Sequence, residues 1–285
     1  MELAAIASTT HVAELDAYLS AARPRGAPGW RVERRDLRGL GVVTVLADDE
    51  RSGERVGRLI RVAESVAACV VDVFEADLLA RALRQRFGLF EASARASILA
   101  RAGRHLDGSP AAAKTARSGR AGRIAPVLLD LIRDEGGVVL DGVLTFRLPG
   151  YLALLEEAVR QAVDDHLLER EYAEFIRVLR SFVAAQPTRT DRVHLVVEGA
   201  QVWLYDRDGR PLPLDRQPSV ALESLEAAIS YEDVLISALI AAAPTHIVVH
   251  RRRETPSNHV ESVRRVFEAR VERCKSRSCG LCAGA

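Results

Sequence analysis

Residues 230–282 limit the fold more than any other stretch, because the apolar periodicity there switches from helix to strand and back within a short span. Ser230-Tyr-Glu-Asp233 has the form of a capping box, whose side chains satisfy the free amides of an opening helix. The helix it predicts runs over 234–243 and stops at Pro244, which cannot continue one. Thr245 to Val249 reads as a buried strand. A basic loop, His250-Arg-Arg-Arg253, follows, and Asn258 can cap a second helix that carries Val260, Val263, Val266 and Phe267 on one face. A short strand over 270–273 then leads into Cys274, Cys279 and Cys282. Strand, helix and strand within about 30 residues predict a parallel pair with a crossover helix.

Residues 3–7 predict a strand, 12–22 a helix with Thr9 and Thr10 at its start, and 31–37 with 42–47 a hairpin. Charges on both faces of 31–37 mark it as an edge strand. Residues 52–87 keep helical spacing, with a break near Asp72 and Glu75, and Cys69 inside the run reads as a buried, inert thiol. Another helix follows over 90–106. Residues 107–122 mix Gly108, Gly119 and Gly122 with Lys114, Arg117 and Arg120, and Arg123 comes next; this composition predicts an exposed, mobile linker. After a helix over 124–133, residues 138–148 read either as a hairpin about Asp141-Gly142 or as a helix capped by Asp141. Helical spacing over 151–186 is expected to turn Phe175 and Leu179 to the core, and 192–198 with 202–206 predict a hairpin about Gly199. The expected fold class is α+β and predominantly helical. It combines a small N-terminal strand-helix-strand-strand unit with a C-terminal mixed sheet, a hairpin plus β-α-β. The expected division is an N-terminal α+β region over 1–106, a basic flexible linker over 107–122, and a C-terminal α+β domain over 123–282.

Several stretches resemble the YtxC-like family of sporulation-associated proteins: Asp141-Gly-Val-Leu-Thr-Phe-Arg-Leu148, Glu171-Tyr-Ala-Glu-Phe-Ile176 with Phe182-Val-Ala-Ala-Gln186, Val193-His-Leu-Val-Val197, Leu235-Ile-Ser-Ala-Leu-Ile240, and His246-Ile-Val-Val-His250. The terminal cysteine cluster continues the likeness, and Asp72-Val-Phe-Glu75 resembles the family's N-terminal part. The resemblance implies a bacterial, endospore-associated protein and assigns no catalytic residues.

Charge and motifs narrow the chemistry. With 40 basic and 39 acidic residues the net charge is +1, so no global field recruits nucleic acid or anionic lipid. No phosphate-binding loop, dinucleotide fingerprint, His-Glu-x-x-His helix or nucleophile elbow is present in the sequence. Asp206-x-Asp208-Gly209 begins like a calcium loop, but the twelfth position is Gln217, so it reads as a turn. No apolar run reaches the roughly 20 residues of a membrane-spanning helix, and a cytoplasmic protein is expected.

Two groups of residues are candidate sites. Cys274, Cys279 and Cys282, with His250 or His259 as a fourth ligand, have the donor set of a zinc site if the last strand runs beside 245–249. A thioredoxin-like role is not expected, since no helix is predicted after Cys282 to lower a thiol pKa. The second group is a set of anion or nucleic-acid contacts: Arg251, Arg252, Arg253 and Asn258 beyond a strand end, and Lys114, Arg117, Arg120 and Arg123 in the linker. Three readings of function follow, in order. The first is a non-enzymatic structural or regulatory protein that acts through protein contacts in sporulating cells. The second is a nucleic-acid or phosphate-binding module, and the third an enzyme with an unrecognised site.

Overall fold

Every second side chain of β3 (Leu40–Ala47) is buried, the pattern of a strand with one face on a core. A computed structural model describes residues 1–23, 29–48, 52–88, 90–199, 201–212, 231–251, 258–275 and 279–283. They form an α+β protein, predominantly helical, with two mixed sheets. The chain divides into two compact units, Met1–Leu168 and Glu169–Ala285.

In the first unit, β1 (Glu2–Ser8) leads through α1 (Val12–Ala21) to β2 (Trp30–Leu37) and β3, giving a sheet in the order β2-β3-β1-β4, with β2 at an edge as its charges predict. Next come α2 (Ser52–Cys69), a π-helical turn (Val70–Phe74), α3 (Glu75–Arg86), α4 (Ala92–Asp107) and α5 (Ala113–Glu135). Gly136, in the left-handed region at φ 74°, ends α5 and donates its N–H to the Ile132 carbonyl. β4 (Gly137–Val139) then pairs parallel with β1, and Gly137 is needed there because a Cβ would lie 2.6 Å from the Ala5 carbonyl oxygen. Residues 140–146 form α6 (Leu140–Phe146), so the stretch after β4 is a helix and not a hairpin, but Val139 stands at its N-cap and Asp141 lies inside it. Asp141 accepts from the N–H and hydroxyl of Thr9, at 3.0 and 2.6 Å, which spends Thr9 away from any cap on α1. Cys69 is buried, as expected of an inert thiol.

The structure corrects the expected linker and its boundary. Residues 113–122 belong to α5, and the two units divide inside α7 (Pro149–Ala185), between Leu168 and Glu169. The reason is Arg120, 5% exposed, whose guanidinium donates to both oxygens of Glu75 at 2.9 Å, to Asp107 at 2.7 Å and to the Leu106 carbonyl at 2.8 Å. Glu75 follows the π-turn directly and also accepts from the Tyr151 hydroxyl. A stretch whose composition suits a linker is therefore pinned by a buried, multiply bonded ion pair.

In the second unit, β5 (Thr190–Glu198) and β6 (Gln201–Tyr205) form the expected hairpin, and β7 (Pro211–Leu212) adds an edge. α8 (Tyr231–Ala242) precedes β8 (Pro244–Arg251), which pairs parallel with β5. Its expected cap, Ser230, lies outside the described residues. α9 (Asn258–Phe267) and a 3-10 turn (Glu268–Arg270) lead to β9 (Val271–Arg273), parallel to β8, giving the order β7-β6-β5-β8-β9. Val193, Leu195, Val197, Ile247 and Val249 line one face and pack with Leu235 and Leu239 of α8, with Val260, Val263 and Val266 of α9, and with Ile176 and Val183 of α7. Arg270 fixes the start of β9 by donating to the carbonyls of Pro244 and Val183.

A second correction concerns α7. Leu179 packs on this core, but Phe175 is 55% exposed, because Ile176 and Val183 take the inward stripe. Two outcomes follow. In urea unfolding, Arg120→Met is expected to cost about 3–5 kcal/mol, since it strands a buried carboxylate, while Lys114→Ala leaves the midpoint unchanged. Ile176→Ala is expected to cost about 2–5 kcal/mol and Phe175→Ala under about 1 kcal/mol.

Candidate metal centre

The parallel register of β8 and β9 builds the site. Val249 lies opposite Arg273, so the residues that follow them, His250 within β8 and Cys274 just past β9, lie side by side. The Cys274 amide continues the ladder by donating to the Val249 carbonyl at 3.0 Å. Strand alternation sends His250 to the face opposite the helices. The tail then returns through Cys279 into one turn of helix, α10 (Gly280–Ala283), which carries Cys282. One donor atom from each of His250, Cys274, Cys279 and Cys282 lies within 4.8 Å of the other three. His250 Nδ1 is 3.3 Å from Cys279 Sγ and 3.4 Å from Cys282 Sγ. These four side chains could hold a metal ion.

The electrostatics suit that use. His250, 2% exposed, has its pKa pushed down to about 4 by burial and then by its neighbour His194, so it presents a neutral imidazole. Burial works against ionising Cys279, but the backbone amides of Cys282 and Leu281 and the neighbouring thiols outweigh it and hold this thiol below the usual cysteine range. The one-turn α10 thus supplies what the sequence reading did not expect, amides aimed at a sulfur. Cys282 is pushed up to about 12, by burial first and then by Cys274 and Cys279. Three adjacent sulfurs cannot all ionise without a cation between them.

Of the predicted ligands, His250 and the three cysteines come together. His259 does not join them, because it lies on α9 with Nδ1 3.5 Å from Glu232 Oε1. A further residue had no place among the predicted ligands: His194 of β5, whose Nδ1 lies 2.9 Å from His250 Nε2. Its only sequence signal is alternation, which sets it on the opposite face from Val193, Leu195 and Val197.

The predicted anion contacts of the first unit line two different cavities. Arg120 is buried in its ion pairs, and Arg117 is held by Asp107 at 2.6 Å. Arg120 and Arg123 line one cavity of about 350 Å³, Lys114 and Arg117 another of about 580 Å³ beside Asp72. Arg251 ends β8, Asn258 begins α9, and Arg252 and Arg253 lie outside the described residues.

The model of the YtxC-like family matches residues 60–272, most of the chain. The chain belongs to the YtxC-like family. It is 28% identical over 144 residues to the uncharacterized protein YtxC of Bacillus subtilis (strain 168), a match that spans 49% of each chain, so about half of that relative's length is covered. No solved structure matches. The YtxC-like match takes in His194 and His250 and stops two residues before Cys274, so the likeness expected of the cysteine cluster falls outside it. Among the described residues no helix is long and apolar enough to cross a membrane.

The thiolate is the reactive form of cysteine, so the metal-stripped, reduced protein has an order of reactivity. Brief alkylation near neutral pH, mapped by mass spectrometry, is expected to label Cys279 before Cys282 and Cys69. Raising the pH should narrow the gap between Cys279 and Cys282.

Proposed function

We propose that this YtxC-like protein is a non-enzymatic, zinc-containing structural or regulatory protein that acts through protein contacts. The observation that carries this reading is the donor set, three sulfurs and one imidazole nitrogen within 4.8 Å of one another, which would fill all four positions of a tetrahedral zinc and leave none for a reacting water. Three thiols and an imidazole suit zinc better than a hard cation such as magnesium or calcium. Bound there, zinc would neutralise the thiolates and fasten the tail to β8. The reading of protein contacts is supported by α7, which exposes Phe175, Val178 and Phe182 beside its packed stripe. The setting, a sporulating cell, is what the family resemblance implies.

Protein purified under reducing conditions is expected to contain one zinc per chain by elemental analysis. A variant with Cys274, Cys279 and Cys282 all changed to Ser should contain none, and chelation should lower the melting temperature of the parent only. Cobalt-substituted protein should give a four-coordinate spectrum that added azide leaves unchanged. A parent without stoichiometric metal, equal metal in the variant, or a spectrum that azide shifts would each overturn the reading.

A further inference from the structure

We infer that His194 is a positioning residue of the metal centre, accepting a hydrogen bond from His250 Nε2 and so dictating that His250 ligates through Nδ1; this rests on the zinc reading above. In the parallel register of β5 and β8, His194 lies opposite Val248 and Val196 opposite His250. The two histidines are therefore diagonal neighbours on one sheet face, close enough for side chains to meet. Their ring centroids are 5.0 Å apart with planes inclined at 47°, and His194 Nδ1 lies 2.9 Å from His250 Nε2. The other nitrogen of His250 faces the sulfurs of Cys279 and Cys282.

Proton counting turns this geometry into a role. A neutral imidazole carries one N–H and one lone pair. If Nδ1 of His250 gives its lone pair to the metal, the proton sits on Nε2, inside a side chain that is almost fully buried. A buried donor without an acceptor is costly, and His194 Nδ1 is the acceptor at hand. His194 must then carry its own proton on Nε2. The reverse arrangement, with His194 donating, would leave an N–H of His250 aimed at the sulfurs and no lone pair for a metal. An acceptor behind a ligating histidine fixes both its tautomer and its ring orientation. Because His194 belongs to β5, the same hydrogen bond would tie the centre to the middle of the sheet, two strands in from the tail.

The test uses the full chain loaded with one equivalent of zinc, with His194→Leu to remove the acceptor and His194→Asn to keep one, since the Asn carbonyl reaches the place of Nδ1. Competition with a chelator is expected to show zinc held about 10–100-fold more weakly by the Leu variant and close to the parent by the Asn variant. Nitrogen-15 spectra of the parent should show His250 ligated through Nδ1, with a slowly exchanging Nε2 proton that the Asn variant keeps and the Leu variant loses. Equal melting of metal-stripped parent and Leu variant would show that the loss is one of ligand positioning and supports the inference. Parent affinity in the Leu variant, or ligation through Nε2 in the parent itself, would overturn the inference and leave the zinc reading standing. A parent that holds no zinc would overturn both.

Discussion

The second unit depends on β8 having a parallel partner on each side. Pairing with β5 places two rows of apolar side chains against α8 and α9, and pairing with β9 carries the chain past His250 at the point where its cysteines begin. Parallel strands need crossover connections, here one containing α8 and one containing α9. Those helices cover one face. The alternation that turns Ile247 and Val249 toward them necessarily turns His250 away. A single register thus sets both the core and the candidate centre, and a slip of one residue would exchange the two faces.

The first unit relies on a different constraint. α5 holds Gly119 and Gly122, and glycine costs a helix about 1 kcal/mol relative to alanine. What offsets that cost is tertiary. Ile124, Leu128 and Ile132 enter the core, and Arg120 reaches the carboxylate that the π-turn presents at Glu75. Such turns are single extra-residue bulges in otherwise regular helices. Val70, Val71 and Phe74 of the turn are buried, so the irregularity is held by packing.

Local pattern explains which parts of this fold were legible in the sequence. The described helices and strands within 234–273 were readable because their runs are apolar and short and Pro244 separates α8 from β8. The hairpin of β5 and β6 was readable from alternation about Gly199, and the break near Asp72 and Glu75 proved to be the π-turn. The stretch 107–122 was misread because glycine and arginine content reports local preference, while the partner of Arg120 lies 45 residues earlier in the chain. Phe175 was misplaced because the apolar surface of α7 is wider than one stripe, and helical spacing alone does not say which part a neighbour covers. In the candidate centre, the choice of His250 over His259 followed only once β9 was seen beside β8. His194 needed the register of β5 as well, which no local motif encodes.

The tail shows why a metal would matter to the fold as well as to the site. α10 is one turn long, and an isolated helix so short does not form in water, because the first turn fixes several residues for one hydrogen bond. Its turn is closed by the Cys282 amide, which donates to the Cys279 carbonyl, and the thiols of Cys279 and Cys282 approach His250. Thiol to imidazole contacts of this length are weak beside the entropy of ordering the residues that make them. A cation shared by four donors changes that balance, because a site that does not exist in the unfolded chain converts binding free energy into folding free energy. The same cation would let Cys282 ionise, which burial and the neighbouring sulfurs otherwise oppose. An ordered tail and ionised cysteines would therefore both be favoured by the same thing, a cation held by the four donors.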